Sequence, residues 1–419
     1  MRSIAIDRLQ PGIFISLSHL GWVRHPFLLN EFRITGDKQI KVLREMGLTE
    51  VPWDPARSSV QPLPANAAPH VASAGDEEID FGLSALSSMQ DEKRQRIERV
   101  RVERERFARR EREYDQNAAS ASSIFRNLQA RPAEAQSELR ALVSRTVTSL
   151  IGAESVLVHL VNQKTKEGGL PFHSLNVMTL SLLLGKTVGL SEEELHALGM
   201  GAMLHDIGKL EIPPRILRAT SRTPPEEEFY RAHIGYGIKA ISNAKELPVP
   251  ARNVIACHHE YWDGSGFPNR LAGDKIPRLA RIAAIANRYD NLCNPFDIKT
   301  ARTPAEAVAQ LFKQEKGRYD PELLTAFVKT LGVFPPGSFV RLSNGSIGLV
   351  IESDPADLLH PLVMLFDEEI PRNEALLLNL GHAGLNVEEV VNPGSLPLAA
   401  VEYLAPRGRV DYYVEGRAR

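Results

Sequence analysis

Much of the chain's histidine lies in one stretch: His173, then His205-Asp206, then His233, then His258-His259. A single histidine on a helix is most often a packed or surface residue, but an ordered set beside an aspartate is a different signal. Neutral imidazoles supply nitrogen ligands and a carboxylate can bridge two hard or borderline cations, so this inventory suits a binuclear site better than structural zinc. The scarcity of cysteine agrees. Cys257 and Cys293 are the only two, lack C-x-x-C spacing, and are expected to be reduced thiols packed in the core. A pair of divalent cations stabilises both the attacking and the leaving oxygen of a phosphate ester, which makes phosphodiester hydrolysis the natural reaction for such a site. Lys209, in His205-Asp206-Ile207-Gly208-Lys209, stands about one helical turn past the histidine, where its ammonium would offset charge on a bound phosphate. The alternative is a helix-end lysine that meets only the dipole.

Side chains so far apart in sequence need a scaffold, and from 132 to 335 the dominant pattern is helical. Helices are expected over Leu139 to Leu160, Leu175 to Gly189, Glu192 to His205, Glu226 to Ala244, Pro248 to His259, Pro277 to Cys293, Pro304 to Gln314 and Pro321 to Leu331. Ser191-Glu192-Glu193-Glu194 and Thr303-Pro304-Ala305-Glu306 carry the cap and first-turn residues that start helices. The fold class read from these patterns is multidomain, with an all-α domain at the centre. A small α/β domain is expected over 1–55, a Pro-, Ala- and Ser-rich linker over 56–87, a charged helix and connector over 88–131, and a small β-rich module over 336–419. In the charged helix, Ile97, Val100, Phe107 and Tyr114 recur at helical spacing, which would allow a coiled-coil homodimer stalk, although Arg104 and Glu111 interrupt the seam. A solvated single helix is the alternative.

Composition excludes several classes. Of 419 residues, 43% are hydrophobic and 24% charged, as in soluble globular chains, and no stretch approaches the about 20 apolar residues that span a bilayer. The N-terminus lacks the apolar run of a signal peptide, so a cytoplasmic location without membrane insertion is expected. A net charge of −2 offers no field for DNA or RNA.

Four segments together resemble a known family: Phe172-His173-Ser174-Leu175-Asn176-Val177, Leu204-His205-Asp206-Ile207-Gly208-Lys209, His233-Ile234-Gly235-Tyr236-Gly237, and His258 through Pro268 with its Trp262-Asp263-Gly264-Ser265-Gly266 stretch. They are similar, in order and register, to the HD-GYP branch of the HD phosphohydrolase superfamily. The N-terminal segment, with His25-Pro26-Phe27 and Val51-Pro52-Trp53-Asp54, resembles the short uncharacterised domain often placed before HD-GYP domains. The resemblance implies an all-helical domain, two divalent metal ions, iron or manganese, and cyclic di-GMP as substrate, hydrolysed to pGpG or GMP. It implies that His173, His205 and Asp206 hold one metal and that Asp206 bridges to a second held by His233, His258 and His259. Gly264, Gly266, Phe267 and Pro268 would form the signature loop beside the substrate, with Phe267 in place of the family's tyrosine.

Two departures bear on activity. Asn287 stands where the family's D-x-x-D-A-L stretch begins with an aspartate ligand; its carbonyl oxygen can coordinate but brings no charge. Asn294-Pro295-Phe296-Asp297 replaces a segment resembling Arg-Pro-Tyr-Arg, leaving Lys299 or Arg302 to meet the phosphates. Gly169 stands where a glutamate would favour a third metal. Two readings follow from different classes: a cyclic di-GMP phosphodiesterase using Asp206 and Lys209, or a catalytically impaired cyclic di-GMP receptor or signalling-protein scaffold of the same fold. Hydrolysis of another nucleotide is a third, which leaves the signature loop without a role.

Overall fold

A computed structural model describes residues 2–20, 25–27, 30–64, 78–151, 155–161, 169–242, 247–354, 357–368, 370–405 and 410–417. The chain divides into two compact units, one of residues 1–106, 340–348 and 364–389, the other of residues 107–339, 349–363 and 390–419.

In the first unit, strands β1 (Arg2–Ala5), β2 (Phe14–Ser16), β3 (Glu31–Arg33) and β4 (Glu50–Trp53) form a sheet in the order β1-β4-β2-β3, joined by helix α1 (Asp37–Glu45). Ile13, Ile15, Leu17, Leu43 and Val51 make its fully buried centre. The start of the expected linker is tied to this sheet. Ser58 Oγ accepts the Phe14 N–H at 2.9 Å, the Leu63 N–H donates to the Arg8 carbonyl at 3.0 Å, and the Arg57 guanidinium lies 3.7 Å from the Phe14 ring centroid. Residues 65–77, the middle of that stretch, lie outside the described residues. Helix α2 then runs from Glu78 to Asn127, so it begins inside the segment expected as linker.

From Tyr114 onward α2 belongs to the core of the second unit, where Tyr114, Ala118, Ala121 and Ile124 are buried at helical spacing. Tyr114 is therefore covered by its own chain and is not part of a free coiled-coil seam. Helices α3 (Pro132–Ile151), α4 (Leu170–Thr187), α5 (Glu192–Leu204), α6 (Pro214–Arg218), α7 (Pro224–Arg231), α8 (His233–Ala240), α9 (Val249–Cys257), α10 (Arg278–Cys293), α11 (Pro304–Lys313) and α12 (Pro321–Leu331) complete the all-α body expected. Helix α4 packs on α5 and α10, and α5 on α9. The Ser191 and Thr303 capping boxes are formed, each hydroxyl accepting the N–H three residues on while the glutamate there reaches back. Cys257 and Cys293 are buried and free, and burial pushes the Cys257 thiol up to about 11.

Three boundaries differ from the sequence pattern. The helix expected to reach Leu160 stops at Ile151, because Ser155–Val161, rich in β-branched residues, is strand β5. The helix expected over Glu226 to Ala244 is two, α7 and α8, separated at Ala232, which places His233 at the start of α8. Helix α4 starts earlier than expected, at Leu170, with Pro171 in its first turn, so His173 is helical.

The C-terminal part is β-rich, with strands β6 (Phe339–Leu342), β7 (Ile347–Asp354), β8 (Asp357–Leu365), β9 (Leu377–Asn379), β10 (Val387–Val390) and β11 (Asp411–Arg417), and helices α13 (Leu380–Ala383) and α14 (Leu398–Leu404). Its sheet is not continuous in sequence. Strand β5 pairs antiparallel with β11, from Asp411↔Val161 to Arg417↔Ser155, and with β7 through Val158↔Ser353. The last strand thus belongs to the helical unit, and Tyr412 and Val414 are buried in that unit's core.

Candidate metal centre

The five histidines and Asp206 come from four helices and the turn after α5. His173 sits in the first turn of α4, His205 caps the C-terminus of α5, and Asp206 follows it at the head of the short 3-10 turn Ile207–Glu211. His233 opens α8, His258 caps the end of α9, and His259 is next to it. Gly208 allows this meeting. A Cβ there would lie 2.0 Å from the His233 carbonyl oxygen and 2.4 Å from the Gly237 nitrogen, so any side chain would push the turn off α8 and separate Asp206 from His233.

The ring nitrogens converge on one carboxylate. His173 Nε2 and His205 Nε2 each lie 3.3 Å from Asp206 Oδ2; His233 Nε2 and His258 Nε2 lie 3.4 and 3.5 Å from Oδ1. One oxygen faces each pair. The donor atoms of His173, His205 and Asp206 all lie within 4.8 Å of one another, as do those of Asp206, His233, His258 and His259. The other ring nitrogen is fixed in each of four cases: His205 Nδ1 bonds to the Ala202 carbonyl at 2.7 Å, His233 Nδ1 to Tyr230 at 2.6 Å, His258 Nδ1 to Ile255 at 3.0 Å, and His173 Nδ1 to the Asp290 carboxylate at 2.6 Å. Such bonds make Nδ1 the donor and turn the Nε2 lone pair inward.

The residues fit a metal pair. Nε2 of His173, His205, His233, His258 and His259 and Oδ1 of Asp206 are all buried without a hydrogen-bond partner. Buried polar atoms are normally satisfied, and six unsatisfied ligand atoms aimed at one another are what cations would complete. The two halves differ electrically. Burial opposes a charge on His173, but Asp206 and Asp290 outweigh it and hold the imidazole up at about 9. In the other half burial prevails, pushing His233 down to about 4, His258 to about 3, and His259 well below the usual histidine range. Asp206 is also desolvated, yet Lys209 and His205 keep its carboxyl well below the usual carboxylate range. Lys209 donates to Asp206 Oδ2 at 2.5 Å and lies 5.4 Å from the Tyr230 ring centroid. Burial disfavours its charge; Asp206 and Tyr230 reverse this and raise the ammonium above its ordinary value.

The signature loop closes over the second half. Phe267 stacks on His259 with ring centroids 4.5 Å apart, and the Arg231 guanidinium lies 4.8 Å from the same ring. Gly266 is required by close approach: a Cβ would lie 2.4 Å from the His259 carbonyl oxygen and from the Tyr261 nitrogen. Gly264 has φ +77°, the left-handed region that favours glycine. Pro268 follows Phe267 through a cis peptide. The buried Glu260 carboxylate accepts the Asn269 and Leu271 N–H groups at 2.7 and 2.9 Å, which pins the loop from beneath.

Of the remaining residues singled out from the sequence, Asn287 is buried on α10, and its Oδ1 accepts from Asn291 at 2.6 Å. Lys299 is exposed in the turn Ile298–Thr300, and among the described residues no hydrogen bond or ion pair joins its side chain to the histidines. Sequence reasoning passed over Asp290, which orients His173. Its signal was present as the second aspartate of the D-x-x-D pattern, overshadowed by the altered first position.

The comparisons with known proteins agree with this geometry. Residues 141–323 match the HD domain family, and residues 1–139 match a domain of unknown function, DUF3391. The chain is thus an HD domain protein with an N-terminal DUF3391 domain. A cyclic di-GMP phosphodiesterase of Pseudomonas aeruginosa is 28% identical over 92% of this chain and 90% of its own length. A 3'3'-cGAMP-specific phosphodiesterase of Vibrio cholerae is 34% identical over 40% of this chain and 32% of its own length. A cyclic di-GMP phosphodiesterase response regulator of Xanthomonas campestris is 33% identical over 39% of this chain and 44% of its own. The chain thus spans less than half the length of the last two.

Proposed function

We propose that this chain is a metal-dependent phosphodiesterase that hydrolyses cyclic di-GMP to pGpG or GMP in bacterial second-messenger signalling. The observation that carries the reading is the shared carboxylate: Asp206 turns one oxygen to His173 and His205 and the other to His233 and His258, the arrangement a bridging ligand needs. His173, His205 and Asp206 would hold one divalent ion and Asp206, His233, His258 and His259 the second, iron or manganese by the resemblance, with Asn287 as a neutral ligand to the first. When bound, such a pair supplies Lewis-acid polarisation of the phosphodiester and stabilises both its attacking and leaving oxygens. Lys209, partly buried beside Asp206, adds fixed positive charge where phosphate charge develops. Gly264, Gly266, Phe267 and Pro268 form the wall beside the substrate, and Arg231 over Phe267 supplies a cation close to the centre that exposed Lys299 does not. Among the described residues no helix is long and apolar enough to cross a membrane.

A second reading, a receptor or scaffold that binds cyclic di-GMP without turnover, is favoured by one observation: Asn287 Oδ1 already accepts from Asn291. Single-turnover hydrolysis of cyclic di-GMP by anaerobically purified, manganese- or iron-loaded protein separates the two. Hydrolysis above the buffer control is expected. Tight binding without hydrolysis would leave the receptor, and preference for 3'3'-cGAMP would move the substrate.

A further inference from the structure

Asp290 fixes His173, and Asp290 is itself fixed by the C-terminus of the chain. Its Oδ1 accepts from Asn176 Nδ2 and from Asn294 Nδ2, each at 2.9 Å. Both amides also grip the backbone at the start of β11. Asn176 Nδ2 and Asn294 Nδ2 donate to the Val410 carbonyl at 3.1 and 2.7 Å, Asn294 Oδ1 accepts the Val410 N–H at 2.9 Å, and Asn176 Oδ1 accepts the Tyr412 N–H at 3.1 Å. Asn176, Asp290 and Asp411 are buried, and Asp411 Oδ1 lies 3.3 Å from Asn176 Nδ2.

An asparagine amide has nearly the same shape in its two flipped orientations, so what surrounds it decides which end faces a neighbour. Here the strand decides. Its N–H groups engage both amide oxygens and its Val410 carbonyl engages both amide nitrogens, which leaves N–H, not C=O, facing the Asp290 carboxylate. Without the strand, a flip would set oxygen against carboxylate, and the Asp290–His173 bond would lose its fixed geometry. Among the described residues His233 and His258 take no part in this chain of bonds, since they are oriented by Tyr230 and Ile255.

We propose that Val410–Tyr412 is a positioning element of the candidate metal centre: through Asn176 and Asn294 it holds Asp290 and the ring of His173, and so sets the affinity of the His173–His205–Asp206 half alone. The inference rests on the metal reading of the cluster.

Manganese titration of the full chain by calorimetry tests it, with wild type, Asn294→Ala and Tyr412→Phe compared and their folding checked by thermal melting. Tyr412→Phe removes the strand's 2.8 Å bond to Tyr289 but touches neither amide, so it reports a merely structural weakening of the strand. In Asn294→Ala one manganese site should weaken roughly 10- to 100-fold while the other keeps its wild-type affinity, as for loss of an outer partner of a ligating histidine. Tyr412→Phe should retain both sites, and Asp290→Ala/Asn294→Ala should bind no more weakly than Asp290→Ala. Should Asn294→Ala fail to fold, Val410→Pro, which deletes the N–H given to Asn294, carries the same expectation at smaller size. Two unchanged sites in Asn294→Ala, equal weakening of both, or the same loss in Tyr412→Phe would overturn the inference. Wild type that binds no manganese would sink the metal reading, and the inference with it.

Discussion

The two halves of the histidine cluster share Asp206 and, at His205, the use of a backbone carbonyl, but they differ at His173. In the half around His173, a side-chain carboxylate, Asp290, orients the ring, and two acids hold its imidazole up at about 9. In the half around His233, backbone carbonyls do the orienting, and desolvation holds His233 and His258 down at about 4 and about 3. Backbone carbonyls of packed helices come with the fold. A buried carboxylate must itself be satisfied, which draws in Asn176, Asn294 and a strand more than a hundred residues away. The second half should therefore be the more robust and the first the more adjustable.

Breaking what the halves share should have the largest effect. Asp206→Ala should abolish both metal sites and all turnover, read by elemental analysis and a nucleotide assay; retention of either metal would show that the carboxylate does not bridge. Next, His258→Ala or His259→Ala should remove one metal and leave the other, with the helical signal in circular dichroism largely intact. Unchanged stoichiometry in both variants would remove the binuclear reading. Lys209→Ala should lower turnover by roughly 10²-fold or more with a smaller change in substrate affinity, because fixed charge beside developing charge favours the transition state.

Subtler differences sharpen the contrast. With its imidazole held up at about 9, His173 should carry a proton at pH 7 before its site takes a metal, so loading that site should release this proton and its affinity should rise with pH up to about 9. The His233 and His258 pair is already neutral, so its affinity should stay flat until the pH falls towards about 4. Calorimetry in buffers of different ionisation enthalpy would show this, and equal proton release at both sites would erase the distinction. The smallest effect is expected from Asn287→Asp, which should tighten the first site and leave the second unchanged if residue 287 is a ligand. No change at either site would place it outside the coordination sphere.

Residue type and order named the histidines and Asp206, because ligand chemistry admits few substitutes, while the glycines of the signature loop were named by the family resemblance. Capping boxes at Ser191 and Thr303 were equally legible, being local bonds written within four residues. What local pattern could not decide lies where distant segments meet. Ser155–Val161 is a strand because β11 and β7 pair with it, and α7 and α8 part at Ala232 where His233 turns to face Asp206. Resemblance to a basic family segment offers Lys299 for the phosphates, and only the fold shows that it is exposed and that Arg231 lies over Phe267. Asp290 became a partner of His173 only once α4 packed on α10, and the hold of Val410 on that pair depends on hydrogen bonds across more than a hundred residues, which no periodicity in a sequence records.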